Sequence, residues 1–197
     1  MKRILIFLIF LALSNFTYAQ NDEINLFKNI LKKGDSISKT KIDSVQIFKV
    51  ASKLDKKHPS QYYDEMAIFL SAKKYNEAVF LFYLGQMRYK FYNSANPNYQ
   101  PGNDGALFAS LKTVLGEPVN LFARTNSENF SRILSLVKEY YKNNDYKFYS
   151  KKNNVEKYNA QIKNIEELIK IIQDEKSNLE TSWNDERNKY IELYKDK

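Results

Sequence analysis

The sequence predicts an all-α protein, and three observations carry that expectation. Its 197 residues include only five Gly and four Pro, so few positions force the backbone to turn. Apolar residues return every three or four positions along most of the chain, the period of a helix with one buried face. From Val155 onward that spacing holds for nearly 40 residues. The chain divides into a leader over 1–19, a helical body over 20–150, and a long C-terminal helix or helical hairpin over 151–197.

The leader has the parts of a cleavable secretory signal. Lys2 and Arg3 form a positive start, Ile4 to Leu13 an unbroken apolar run, and Thr17 and Ala19 the small-x-small pair before a cut between Ala19 and Gln20. The apolar run is about half of the roughly 20 residues a membrane-spanning helix needs. No later stretch is apolar enough to span. A periplasmic or secreted location is therefore expected, with no membrane span after cleavage. There are no cysteines, so the exported chain must hold together through its core, and thiol catalysis, iron–sulfur clusters and thiolate zinc sites are excluded. The formal charge of +8 includes Lys2 and Arg3, which leaves +6 after cleavage. Residues 151–197 balance ten cations against ten anions, so the whole excess lies in the body. Such a charge points only weakly to an anionic partner.

The first body helix is expected over 21–33, with Ile24, Phe27, Ile30 and Leu31 inward and Gly34 ending it. A second covers about 43–56, with Val45, Phe48, Ala51 and Leu54 or their neighbours inward. His58-Pro59 breaks it, because the residue before proline is pushed out of the helical region. Ser60 is read as the cap of a helix over 61–73. The next, from about Asn76 to Ser94, is apolar on nearly every side at Ala78 to Leu84 and should be central. The loop NPNYQPGNDG precedes a helix over 104–115. Gly116 and Pro118 then separate it from a short helix near 118–124, and Ser127 caps one running to about Tyr141.

The stretch Gln61 to Tyr89, QYYDEMAIFLSAKKYNEAVFLFYLGQMRY, carries Tyr62, Met66 and Phe69 on its first half and Tyr75, Ala78, Phe82 and Gly85 on its second. It resembles one tetratricopeptide-type helix hairpin of the group that includes Sel1-like repeats. Met66 stands where the motif has a small residue, Lys90 where a proline often closes it, and no second copy follows. The resemblance implies two closely packed antiparallel helices and a protein-binding role, since such repeats stack to build binding surfaces.

The C-terminal spacing picks out Val155, Tyr158, Ile162, Ile165, Ile169, Ile172, Lys176, Leu179, Trp183, Glu186, Tyr190 and Leu193 as a heptad seam. A continuous helix of that length would reach about 60 Å and project, offering self-association or a partner helix through Ile165, Ile172 and Trp183. The alternative is a break near Ser177 to Ser182, where helix formers are modest, and a fold back as a hairpin.

Catalytic patterns are sparse. His58 is the only histidine and sits in a turn. Asp64-Glu65, Glu166-Glu167, Asp174-Glu175 and Asp185-Glu186 are helix neighbours that point about 100° apart, a poor arrangement for a facing acid/base pair. Asn96, Asn98, Asn103 and Asp104 offer a calcium loop only one carboxylate, so a plain turn is the better reading. No cofactor or metal is expected. Lys138 to Lys152 interleaves lysines with Tyr140, Tyr141, Tyr146, Phe148 and Tyr149, which suits stacking on glycans or contact with an acidic protein. Export makes nucleic acid an unsuitable target. The expectation is a non-catalytic, exported interaction module with an unidentified protein partner. Tyr75, Phe82, Tyr83, Arg88 and Tyr92 are candidates for a helical groove, and Tyr141, Tyr146 and Tyr149 for the basic-aromatic surface. Two other readings fit the same residues: a periplasmic immunity-type inhibitor of a secreted toxin, and an envelope hydrolase using Asp64 or Glu77.

Overall fold

A computed structural model describes residues 23–195, and among these every regular element is helical. Helix α1 covers 23–38, α2 Ser44–Leu54, α3 Gln61–Ser71, α4 Tyr75–Ala95, α5 Ala106–Ala123, α6 Ser127–Asn143, α7 Val155–Asp174 and α8 Lys176–Tyr194. A π-helical turn, Pro101–Gly105, leads into α5, and a 3₁₀ turn, Lys151–Asn153, precedes α7. The leader and its cleavage site Ala19/Gln20 lie outside the described residues.

Helix α4 is the axis of the body, with α3, α5, α6 and α7 all packed on it. Its apolar run leaves no solvent face over Ala78 to Phe82, all of them buried. Helices α3 and α4 form an antiparallel hairpin. Gly85 makes their closest approach: a Cβ there would stand 2.7 Å from the Tyr62 Cβ. Tyr62, Met66, Tyr75, Ala78 and Phe82 fill this contact, while Phe69 is only half-buried.

The turn between them is a Schellman motif. The Lys74 amide donates to the Phe69 carbonyl (2.9 Å) and the Lys73 amide to that of Leu70 (3.0 Å). The Lys74 ammonium lies 5.8 Å from the Phe69 ring centre, closing the motif's outer side. Lys73 carries the left-handed backbone, with φ of 60°, a conformation that costs an L-residue about 1–2 kcal/mol. Lys73→Gly is expected to stabilise the chain by about 0.5–1 kcal/mol, since glycine's extra unfolded-state freedom offsets part of the relief. A rise in the urea midpoint at unchanged m-value is the measurement that checks it.

Several expected boundaries are corrected. Gly34 does not end α1, which continues to residue 38; no glycine has positive φ, and Gly34 instead lets α1 approach Thr125, whose Cγ2 would lie 3.0 Å from a Cβ there. Val45 is 78% exposed, and its neighbour Ile47 turns inward with Ala51 and Leu54. Ser60 makes no capping bond, because its hydroxyl is taken by His58 (2.9 Å). Asn126, not Ser127, caps α6 by accepting from the Asn129 amide (2.9 Å). Gly116 and Pro118 do not divide α5. Gly116 is buried with the Phe82 ring 3.1 Å from its Cβ position. Pro118 deprives the carbonyl of Val114 of its helical donor at an exposed position, where water can serve.

The C-terminal region is broken and covers the chain's own core, as the second expected form has it, but not as a hairpin folded back on itself. The break falls at Glu175, before the Ser177 to Ser182 stretch. Helix α7 runs antiparallel to α6, and α8 then continues across the body rather than turning back along α7. It touches α6 through Ser127–Glu180 (2.5 Å) and Phe130–Trp183, then α5 through Tyr190–Glu117 (2.6 Å). It ends on α1, with Arg187 on the Leu31 carbonyl (2.9 Å) and Tyr190 and Tyr194 stacked on Phe27. Tyr158, Ile165, Ile169 and Ile172 are therefore buried in this chain's own core. Val155 and Leu193, at the two ends of the seam, remain more than half exposed.

Candidate functional site

The polar centre of the body is a buried ion pair. Asp55, which caps the end of α2, lies with its Oδ1 2.9 Å from the Nε of Arg88 on α4, and both side chains are almost wholly buried. Charge and proximity join them rather than a linear hydrogen bond, since the Arg88 Nε–H has no aligned acceptor. Tyr62 and Tyr140 donate to the two Asp55 carboxylate oxygens, each at 2.7 Å. The other end of Arg88 donates to the Tyr158 hydroxyl (2.7 Å) and the Asn144 carbonyl (3.0 Å). The guanidinium also sits 4.6 Å from the Tyr141 ring centre and 5.3 Å from that of Tyr146, favourable cation–π distances. Burial raises the pKa of Asp55, and Arg88's charge and the Tyr140 and Tyr62 donors pull it back. Burial is the largest influence on Arg88 and acts to lower its pKa, but Asp55's charge together with Tyr62, Tyr158 and Tyr141 outweighs it and the net direction is up. The hub thus ties α2, α3, α4, α6, α7 and the 144–149 segment to one point, away from solvent. That is an organising role, not a binding surface.

The 144–151 loop has its own anchor. Asp145 accepts from the Ser150 hydroxyl (2.6 Å) and the Lys151 amide (2.7 Å). Partial burial works to raise its pKa, but these donors and the Lys151 charge lower it overall. A depressed carboxyl contributes stability above its unfolded pKa and loses it as pH falls through the folded value. Asp145→Ala is accordingly expected to cost about 1–2 kcal/mol at neutral pH, with the gap to wild type narrowing on acidification below about pH 4. Urea unfolding at several pH values reads this directly.

His58 is held between two elements. Its Nδ1 meets the Ser60 hydroxyl at 2.9 Å and its Nε2 meets Asp104 Oδ1 at 3.1 Å. Tyr89, Tyr92 and Phe148 stand edge-on around the ring. Serine, histidine and aspartate are in contact, yet the arrangement lacks the donors of an acyl-transfer site. The Tyr63 and Asp64 amides at the start of α3 both donate to the Ser60 carbonyl, and the Ser60 amide turns to His58. The contact pins the loop before α5 to the turn before α3. Asp104 is thereby spent on His58, and among the described residues no group of His, Asp and Glu is placed to hold a metal ion. The hydrolase candidates stand apart: Asp64 is exposed and takes a bond from Gln61 (2.6 Å), while Glu77 lines a small cleft with Asp43, Phe69 and Lys74.

A cleft of about 780 Å³ opens between α1, α3 and α5. Its walls include Leu26, Phe27, Leu70, Val114, Leu115 and Pro118, with Tyr75 from the start of α4. Glu23, Glu117 and Lys73 supply charge. The Tyr75 hydroxyl is buried and has no hydrogen-bond partner, and burial raises its pKa. Glu117 accepts from the Tyr190 hydroxyl at 2.6 Å.

Burial corrects most of the expected partner-facing list. Phe82, Arg88, Tyr141, Tyr146, Ile165 and Ile172 are inside the core and present no surface. Tyr83, Tyr92, Tyr149 and Trp183 are half-buried, and each is engaged within the chain: Tyr83 on Asn120 (2.9 Å), Tyr92 on Phe148, Tyr149 on the Ala95 carbonyl (2.8 Å), Trp183 on Phe130. Tyr75 alone among them lines the cleft, but it too is buried, and its hydroxyl has no hydrogen-bond partner among the described residues. The cleft's other walls were not singled out, because Leu26, Leu70, Val114 and Leu115 come from three separated segments whose convergence no local pattern encodes. Among the described residues no helix is long and apolar enough to cross a membrane. No protein-family model matches the chain, and neither a curated protein nor a solved structure matches it.

Proposed function

We propose that this chain is an exported, non-catalytic interaction module of the periplasm or cell envelope that receives a segment of a protein partner in the α1–α3–α5 cleft. The single observation carrying the reading is that cleft: mostly apolar walls, a few charged and hydroxyl groups, and a volume of about 780 Å³, the character of a recognition site. Within this reading the α3–α4 pair acts as a tetratricopeptide/Sel1-like hairpin. Its close contact at Gly85 and Tyr62 supports that assignment. Export rests on the leader, Lys2 to Ala19.

Two measurements test the reading. Intact mass and N-terminal sequencing of the exported chain should give Gln20 as its first residue; a retained leader in the cytoplasm would overturn export. Capture from periplasmic extract should return a protein that binds wild type and is lost with Val114→Asn, a change at an exposed cleft wall. Capture indifferent to that change would overturn the cleft as the binding surface.

A further inference from the structure

We propose that the occupant of the α1–α3–α5 cleft is an amphipathic helix that lays its apolar face along α5 and sets a lysine or arginine against Glu23 and Glu117. This rests on the binding reading above and adds the chemistry of the partner.

The apolar surface does not stop at the cleft. Val114, on its wall, is 68% exposed, and Leu107, one heptad earlier on α5, is 44% exposed. Half-buried Leu111 lies between them. The three occupy i, i+4 and i+7 and form one stripe of about 10 Å leading out of the cleft. A stripe of that kind suits an extended occupant lying alongside α5, and helix-in-groove recognition uses the same spacing of anchors. Exposed apolar residues scattered singly would need no explanation, but these are aligned and continuous with a concavity.

Charge selects the polar end of the occupant. The chain as a whole is basic, at +8 with its leader, yet the cleft carries two carboxylates, Glu23 and Glu117, against one ammonium, Lys73. The chain's net positive charge disfavours a cationic partner at long range, whereas the carboxylates at this mouth favour one, which gives the site selectivity. An anionic helix, or an anionic lipid surface, would meet the carboxylates instead.

The test uses the whole chain after the leader and two synthetic two-heptad helical peptides, one of Leu and Lys, the other with every Lys replaced by Glu. Isothermal calorimetry should show one-to-one binding of the Leu/Lys peptide. Val114→Asn should weaken it roughly tenfold, as should Glu23→Gln combined with Glu117→Gln, the latter loss shrinking as salt rises. Both glutamates and Val114 are exposed, and circular dichroism confirms that the variants remain folded. If the Leu/Glu peptide binds instead and Val114→Asn weakens it, the cleft is a docking site and the cationic occupant is wrong. If neither peptide binds, or binding ignores Val114→Asn, helix docking in this cleft is overturned, while the cleft as a partner site stands or falls on the capture experiment with Val114→Asn.

Discussion

Replacing Arg88 with Met is expected to destabilise the chain by about 3–5 kcal/mol, because it strands the Asp55 carboxylate in the core. Met keeps much of the side chain's bulk, so the loss reports on charge more than on a cavity. Asp55 would retain its two tyrosine donors at 2.7 Å but lose the guanidinium beside it. The pH dependence identifies the cause. Burial already raises Asp55 in the native chain, and removing Arg88 leaves that effect unopposed by charge. A carboxyl with a raised folded pKa contributes stability that is present below its unfolded pKa and lost as pH rises through the folded value. The deficit of Arg88→Met should therefore be largest at neutral pH and shrink on acidification. The double variant Arg88→Met with Asp55→Leu should recover part of the loss, since no buried charge then remains. Urea unfolding followed by circular dichroism provides all three values. A deficit that does not change with pH would mean that Arg88 acts through packing alone.

Gly85→Val is expected to cost about 3 kcal/mol through overpacking at the α3–α4 contact. Local helix propensity predicts the opposite sign, because glycine inside a helix is about 0.5–1 kcal/mol worse than alanine. The distance decides between them. A Cβ at Gly85 would sit 2.7 Å from the Cβ of Tyr62 and 3.4 Å from its Cγ. The obstructing atom is next to the backbone, not the end of a flexible chain. Tyr62 cannot swing aside either, since it is buried and its hydroxyl is bonded to Asp55. A fall in Tm of about 6–12 °C, read by thermal circular dichroism, is the expected result for a chain of this size. Gly85→Ala should fall in the same direction by less. An increase in Tm for either variant would show that α3 and α4 separate easily, contrary to a tight hairpin.

The helices were legible where their signal is local. Few breakers and a 3–4 apolar period predicted α2, α3, α4, α6 and α7 to within a few residues, because an amphipathic pattern acts over one or two turns. Helix ends were read less well. Gly34, Gly116 and Pro118 carry stop signals that tertiary contact overrides: Thr125 and Phe82 claim the space left by the two glycines, and an exposed turn absorbs the proline. The candidate partner-facing residues failed for a related reason. An aromatic or isoleucine stripe looks the same whether it meets a partner or the rest of its own chain, and Phe82, Tyr141, Ile165 and Ile172 meet their own chain. Arg88 was read as a groove-facing candidate, yet it is buried. Its partner Asp55 lies 33 positions earlier, and nothing in the intervening pattern joins them.

By itself, then, the sequence determined an all-helical chain with a central apolar helix and no cysteine chemistry. Only the tertiary structure decided that Arg88 pairs with Asp55, that α8 crosses onto α1 and α5, and that one cleft opens beside Tyr75. The physical reason is one of range. Helix formation is settled by neighbours three and four residues apart, whereas pairing, docking and clefts depend on which faces meet, and that is fixed by packing among segments far apart in the chain.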